Sequence, residues 1–134
     1  MKIVCDTNVL VSGFLFGGHP RRILDMASRG SVTNVTSPAL LREVEDVLHR
    51  PKFGLQPRQV SQIVALFRDT FEFVVPTRRI SVVAAGPTDN AVLEAAVTAA
   101  ADVIVSGDKH LVQLKPRLRI RILSPAQFMK ETAP

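Results

Sequence analysis

The feature that most constrains this chain is a short apolar run halted by an acid, and it occurs twice. Ile3-Val4-Cys5 stops at Asp6, and Val103-Ile104-Val105 stops at Ser106-Gly107-Asp108. Apolar runs of this length without polar alternation suit strands buried on both faces, as in the middle of a parallel sheet. Open α/β sheets place their sites at the carboxyl ends of strands. Asp6 and Asp108 therefore converge on one crevice if their strands are neighbours. The competing reading is that each acid simply opens the following helix. For Asp6 that helix carries Val9, Leu10, Val11, Phe14 and Leu15, with Thr7 or Asn8 as further capping candidates.

The rest of the chain alternates helix and strand. Gly17-Gly18-His19-Pro20 breaks the first helix, and Pro20 opens a second carrying Ile23, Leu24, Met26 and Ala27, closed by Gly30. Residues 32–36, rich in β-branched side chains, predict a strand. Ser37-Pro38 is a helix start, serine as cap and proline in the first turn, for a helix from Ala39 to His49. Pro57 opens another helix to about Phe71, and Phe73-Val74-Val75 predicts a short strand stopped by Pro76. Between Thr77 and Pro87, Ile80, Val82 and Val83 fit either a strand or an ordered loop. Asp89 to Ala101 is alanine-rich and helical. A short helix over Leu111, Val112 and Leu114 follows the second acid, then a strand from Arg119 to Leu123 and a final helix after Ser124-Pro125. Strands alternating with helices predict one mostly parallel sheet covered on both faces, in a single domain over residues 1–134.

Composition narrows the function classes. Apolar residues make up 46% of 134, enough to bury a core. The only cysteine, Cys5, lies inside the first apolar run, which excludes an intrachain disulfide and suggests a small core residue. No stretch is long enough to span a bilayer, and the amino terminus lacks the pattern of a signal peptide, so a cytoplasmic location is expected. A net charge of +5 makes a polyanionic partner plausible. With no tryptophan or tyrosine, base-stacking platforms are scarce and phosphate contacts should dominate any nucleic-acid binding.

Two further regions carry candidate acids. Asp89 shares its helix azimuth with Leu93, Ala96, Val97 and Ala100, so it begins an apolar stripe, where a charge needs a partner or a metal. The helix dipole would also favour an acid there. After Ser37, the residues Leu40, Leu41, Val44, Val47 and Leu48 mark a buried face; Asp46 points away from it, and periodicity leaves Glu43 and Glu45 tied at its edges. Basic candidates for phosphate contacts are Arg50, Lys52, Arg58, Lys109 and the alternating series Arg117, Arg119 and Arg121. Solvated surface charge is the simpler reading for most of them. His19 and His49 lie near helix ends and receive no role.

Taken in order, Cys5-Asp6-Thr7-Asn8-Val9-Leu10, Ser37-Pro38-Ala39-Leu40-Leu41-Arg42-Glu43, Thr88-Asp89-Asn90 and Ser106-Gly107-Asp108-Lys109-His110-Leu111 resemble the PIN domain family, as does the closing segment from Arg121 to Phe128. The resemblance covers nearly the whole chain and is nearest to small prokaryotic PIN proteins related to VapC-type toxins. It implies a three-layer α/β/α sandwich with a central mostly parallel sheet. It also implies a metal-dependent endoribonuclease whose acids are Asp6, Glu43, Asp89 and Asp108, which favours Glu43 over Glu45. Asn8 and Ser106 match polar positions that support the acids. Further implications are an RNA substrate, a cognate antitoxin and a homodimer.

The implied chemistry is coherent on its own terms. Mg²⁺ and Mn²⁺ take hard oxygen ligands, and one or two such ions would offset repulsion among carboxylates and activate water for attack on a phosphodiester. The chain departs from its relatives where Gly86-Pro87-Thr88 leaves Asp89 without neighbouring acids and where His110 stands in place of an acid. Two other readings remain: a catalytically weakened PIN module that binds RNA or protein, and a receiver-like or phosphatase-like domain using Asp6 as nucleophile. Asn8 occupies the position where that phosphatase chemistry wants a second acid.

Overall fold

Strand β1 (Lys2–Cys5) sits in the middle of a parallel sheet that has five strands among the described residues. A computed structural model of the protein describes residues 1–77, 87–108, 111 and 120–132, with the backbone alone at residues 87–89. After β1 come helices α1 (Thr7–Leu15) and α2 (Gly18–Ser28), strand β2 (Thr33–Thr36) and helix α3 (Pro38–Leu48). A 3₁₀ turn over Pro51–Phe53, helix α4 (Pro57–Thr70) and the two-residue strand β3 (Glu72–Phe73) follow. Helix α5 (Pro87–Ala99), strands β4 (Val103–Val105) and β5 (Arg121–Leu123), and helix α6 (Pro125–Thr132) complete the described elements.

The strand order is β3-β2-β1-β4-β5. The chain winds outward from β1 through β2 to β3, then crosses to the other side of β1 to lay down β4 and β5. That reversal opens a crevice at the carboxyl ends of β1 and β4, where ligands bind in open α/β sheets. Register matches the two apolar runs residue for residue: Ile3 opposite Val103, Val4 opposite Ile104 and Cys5 opposite Val105. The two acids expected at neighbouring strand tips are thus carried by paired strands.

Alternation within the runs divides the core. Ile3, Cys5, Val103 and Val105 face one side, packed with Leu10, Ile23, Val44, Val60, Phe67 and Phe128 from the helices there. Val4, Ile104, Val35 and Ile122 face the other side, against Val92, Leu93, Ala95 and Ala96 of α5 and against Leu111. Each fully buried aliphatic or aromatic side chain contributes about 1.5–3 kcal/mol. Both faces of β1 are therefore committed to packing, and polar chemistry is left to its end.

Local signals act largely as expected. Ser37 Oγ accepts from the Leu40 amide at 3.3 Å with proline opening α3. Ser124 and Gln127 exchange reciprocal hydrogen bonds at the start of α6. The α1–α2 corner depends on Gly13, where a Cβ would lie 2.9 Å from the backbone of Pro20 and 2.8 Å from Leu24. Arg21 reaches back to the Gly13 and Phe14 carbonyls, satisfying the end of α1.

Several expectations need correction. The α1 cap is Asp6, with neither Thr7 nor Asn8 outside the helix. The strand expected over residues 73–75 is Glu72–Phe73, because pairing to β2 ends after Thr36 accepts from the Val74 amide. The α5 helix starts two residues before Asp89, at Pro87. Its buried face runs along Val92, Ala95, Ala96 and Ala99, so Val97, expected inside, is 47% exposed. Of the strand expected over residues 119–123, Ile120 lies outside β5, which runs Arg121–Leu123. The expectations for Ile80, Val82 and Val83, for Val112 and Leu114, and for Arg117 and Arg119 lie outside the described residues.

Candidate active site

At the crevice, the Asp6 amide continues the β1–β4 ladder by donating to the Val105 carbonyl at 3.1 Å. The chain then turns into α1, and the Asp6 side chain is left at the strand tip, only 7% exposed. Oδ1 accepts from the Val9 amide at 2.9 Å. Oδ2 accepts a hydrogen bond from the Ser106 hydroxyl at the end of β4. Ser106 is itself anchored by its amide to the Leu123 carbonyl of β5 at 2.9 Å, and its Oγ accepts from the Asp108 amide at 2.9 Å. Capping and site formation are thus compatible for Asp6, since each function uses a different oxygen.

The electrostatics follow from burial. Desolvation raises the Asp6 pKa above the ordinary carboxylate value, hydrogen bonds from Ser106 and Val9 oppose it, the charge of Asp108 raises it further, and the Asn8 amide lowers it. Among the described residues no lysine, arginine or histidine forms an ion pair with Asp6. A buried carboxylate without a basic ion-pair partner of its own among the described residues carries charge that a divalent cation would neutralise. The donors are hard oxygens, which suits Mg²⁺ or Mn²⁺. The nearby Cys5 thiol is no competitor, since burial above all, with Asp6 adding to it, pushes its pKa upward.

The other candidate residues fall differently. Glu43 is half-buried on α3, whereas Glu45 is exposed and lies 3.8 Å from His49, and Asp46 is exposed. The tie left by periodicity is thereby resolved in burial, with Glu43 turned further inward. Among the described residues, however, no three carboxylate, histidine or cysteine groups are gathered tightly enough to hold a metal. Hydrogen bonds through Ser106 link the Asp6 carboxylate to the Asp108 backbone. Asp89 lies in the first turn of α5, and its side chain is outside the described set, as are Lys109 and His110. Asn8 is exposed beside Asp6, and Arg50 and Lys52 are exposed beyond the end of α3. Arg121 is paired with Glu131 on α6 and is not a free phosphate contact.

A profile of the PIN domain matches residues 2–110, most of the chain and all of the crevice. The protein belongs to the PIN domain family. An uncharacterized protein from Methanocaldococcus jannaschii is 26% identical over 143 residues, an alignment covering 98% of this chain and 91% of that one. Among solved structures, this PIN domain resembles a chain of VapBC2 from Rickettsia felis, bound to a DNA fragment from their promoter. The TM-score is 0.67 at 14% identity, covering 92% of this chain and 98% of that one. A chain of VapBC-1 from nontypeable Haemophilus influenzae gives a TM-score of 0.64 at 17% identity, with 94% and 99% covered. At these identities the likeness is one of fold.

Sequence reasoning missed Asn34. Its side-chain carbonyl on β2 accepts from the buried Cys5 amide at 3.0 Å, closing the gap where the β1–β2 ladder ends. A buried asparagine in a strand otherwise rich in threonine and valine was the available signal. Among the described residues, the buried Thr7 Oγ1, Thr36 Oγ1 and Asn34 Nδ2 near these strand ends have no hydrogen-bond partner.

Proposed function

We propose that this PIN domain protein is a metal-dependent endoribonuclease and the toxin of a toxin–antitoxin pair. The observation that carries the reading is the buried Asp6 carboxylate, hydrogen-bonded to Ser106, influenced by Asp108 and lacking a basic partner among the described residues. Family membership and a fold shared with proteins solved as VapBC complexes support the nuclease and antitoxin parts.

In this reading Asp6, Glu43, Asp89 and Asp108 would hold one or two Mg²⁺ or Mn²⁺ ions. When bound, the cation would supply positive charge that offsets acid–acid repulsion and would lower the pKa of a water so that, deprotonated, it is nucleophilic toward phosphorus. Ser106 keeps Asp6 oriented, and Asn8 contributes its amide to the same carboxylate. Protonation of Asp6 would remove a ligand, so activity should fall at low pH. Hydrolysis would use this activated water, without a covalent enzyme intermediate. Arg50, Lys52 and Lys109 supply phosphate contacts, and the chain acts as a cytoplasmic homodimer. No helix among the described residues is long and apolar enough to cross a membrane.

A second reading, a catalytically weakened PIN module that binds RNA or protein, is favoured by the thin acidic neighbourhood at residues 86–88 and by His110. RNA cleavage with Mn²⁺ by wild type and Asp6→Asn, side by side, separates the two. Cleavage by wild type alone supports the nuclease. RNA binding without cleavage in either supports the module.

A further inference from the structure

A groove of about 510 Å³ begins at Asn8 and runs past the carboxyl end of α1 to the 3₁₀ turn, with Phe16, Arg50, Lys52 and Phe53 along it. From these residues we infer that it is a subsite for single-stranded RNA, holding a base against phenylalanine and the adjoining phosphates on Arg50 and Lys52. Its location and substrate class rest on the nuclease reading.

Phe16 is 73% exposed, an unusual position for a large aromatic side chain, and it follows directly on α1. Its ring centroid lies 6.1 Å from that of Phe53, with the planes tilted by 48°, so the rings do not cover one another face to face. Lys52 Nζ stands 5.1 Å from the Phe53 centroid. Among the described residues neither Arg50 nor Lys52 forms an ion pair with a carboxylate, leaving two positive charges uncompensated at the groove. An exposed aromatic ring, Phe16, with the half-buried Phe53 behind it and basic side chains alongside, has the ingredients of sequence-tolerant single-strand binding. The groove volume is in the range of small-molecule sites.

Direction follows from Asn8. Asn8 lines the groove and follows Asp6 by two residues, so the groove opens beside the proposed catalytic acid. A strand seated on Phe16 and Arg50 would run along α1 toward Asp6, which lies about 15 Å away at the other end of that helix, so the scissile phosphodiester sits two or more nucleotides from the stacked base. The cavity between α2 and α4 lacks this character. Its Arg21 is occupied by backbone carbonyls, and Asp25 adds negative charge.

The test measures binding of a fluorescently labelled single-stranded oligoribonucleotide in EDTA, where metal-dependent cleavage is silent. The variants are Arg50→Glu/Lys52→Glu, Phe16→Leu, and Arg22→Glu/Arg68→Glu as a control of equal charge change outside the groove. The groove double variant should weaken binding at least ~10-fold more than the control and lower the slope of log affinity against log salt by about 1.4, the loss of two phosphate contacts. Phe16→Leu should weaken binding about 5-fold or more for base-bearing RNA and leave an abasic oligomer unaffected. Absence of RNA binding, groove and control variants behaving alike, or polyglutamate competing as well as RNA would each overturn the subsite. Groove-dependent binding without Mn²⁺-dependent cleavage overturns the catalytic reading alone. Asp6-dependent cleavage with groove-independent binding overturns the subsite alone.

Discussion

The hydroxyl of Ser106 donates to Oδ2 of Asp6 across 100 residues of sequence, joining the carboxyl ends of β4 and β1. The same oxygen of Ser106 accepts from the Asp108 amide, so one serine sets the relation between the two acids.

Replacing Ser106 with alanine should therefore weaken the metal site while leaving the fold intact. The change removes a hydrogen bond that stabilises ionised Asp6 and releases the Asp108 amide. Partners that orient metal-binding groups are worth roughly 10- to 100-fold in affinity or activity. Titration calorimetry with Mn²⁺ should show a loss of that size, with Ser106→Thr recovering part of it.

Asp6→Asn should abolish cleavage yet stabilise the metal-free protein near neutral pH. Burial raises the folded-state pKa of Asp6, so the native chain binds this proton more tightly than the unfolded chain does. Stability of the metal-free protein consequently falls as pH climbs from the ordinary carboxylate pKa through the raised value. Asparagine, which can still cap α1, removes that dependence. Urea unfolding across this range in EDTA checks it: wild type should lose stability with rising pH, and the variant should be flatter.

Metal should reverse the penalty. At Mn²⁺ one hundred times its dissociation constant, linkage predicts stabilisation of about 2.7 kcal/mol. Thermal unfolding of wild type should shift upward on adding Mn²⁺ and return with EDTA. The double variant Asp6→Asn/Asp108→Asn should show neither change.

Asn34→Leu should destabilise the protein by about 1–2 kcal/mol. It strands the buried Cys5 amide, although it also removes the unpartnered Nδ2. Hydrogen exchange at Cys5 should accelerate more than at Val4, which distinguishes loss of this bond from general loosening.

Gly13→Ala should destabilise by roughly 1–3 kcal/mol despite alanine's better helix propensity, because backbone atoms of Pro20 occupy the space a Cβ needs. Denaturant melts should show a lower midpoint with an unchanged slope.

Much of the architecture could be read from periodicity and punctuation. Ser37-Pro38 and Ser124-Pro125 open helices where expected, and the two apolar runs form the paired strands β1 and β4. The end of β3 and the inward face of α5 were less legible, since pairing partners and sheet contact decide them and local pattern does not. The scarcity of stacking surfaces, inferred from the absence of tryptophan and tyrosine, overlooked Phe16 and Phe53. Neither is unusual along the chain, and only the turn after α3 brings their rings together.

The sequence by itself determined a parallel α/β sheet with acids at strand ends, because short apolar runs must be buried and a charge must end them. Tertiary structure alone decided that Asp6 meets Ser106 and Asp108, that Glu43 is buried more than Glu45, and that an aromatic and basic groove starts beside Asn8. These depend on which strands become neighbours and which helix faces meet the sheet. Such choices are made by long-range packing, to which local sequence pattern is blind.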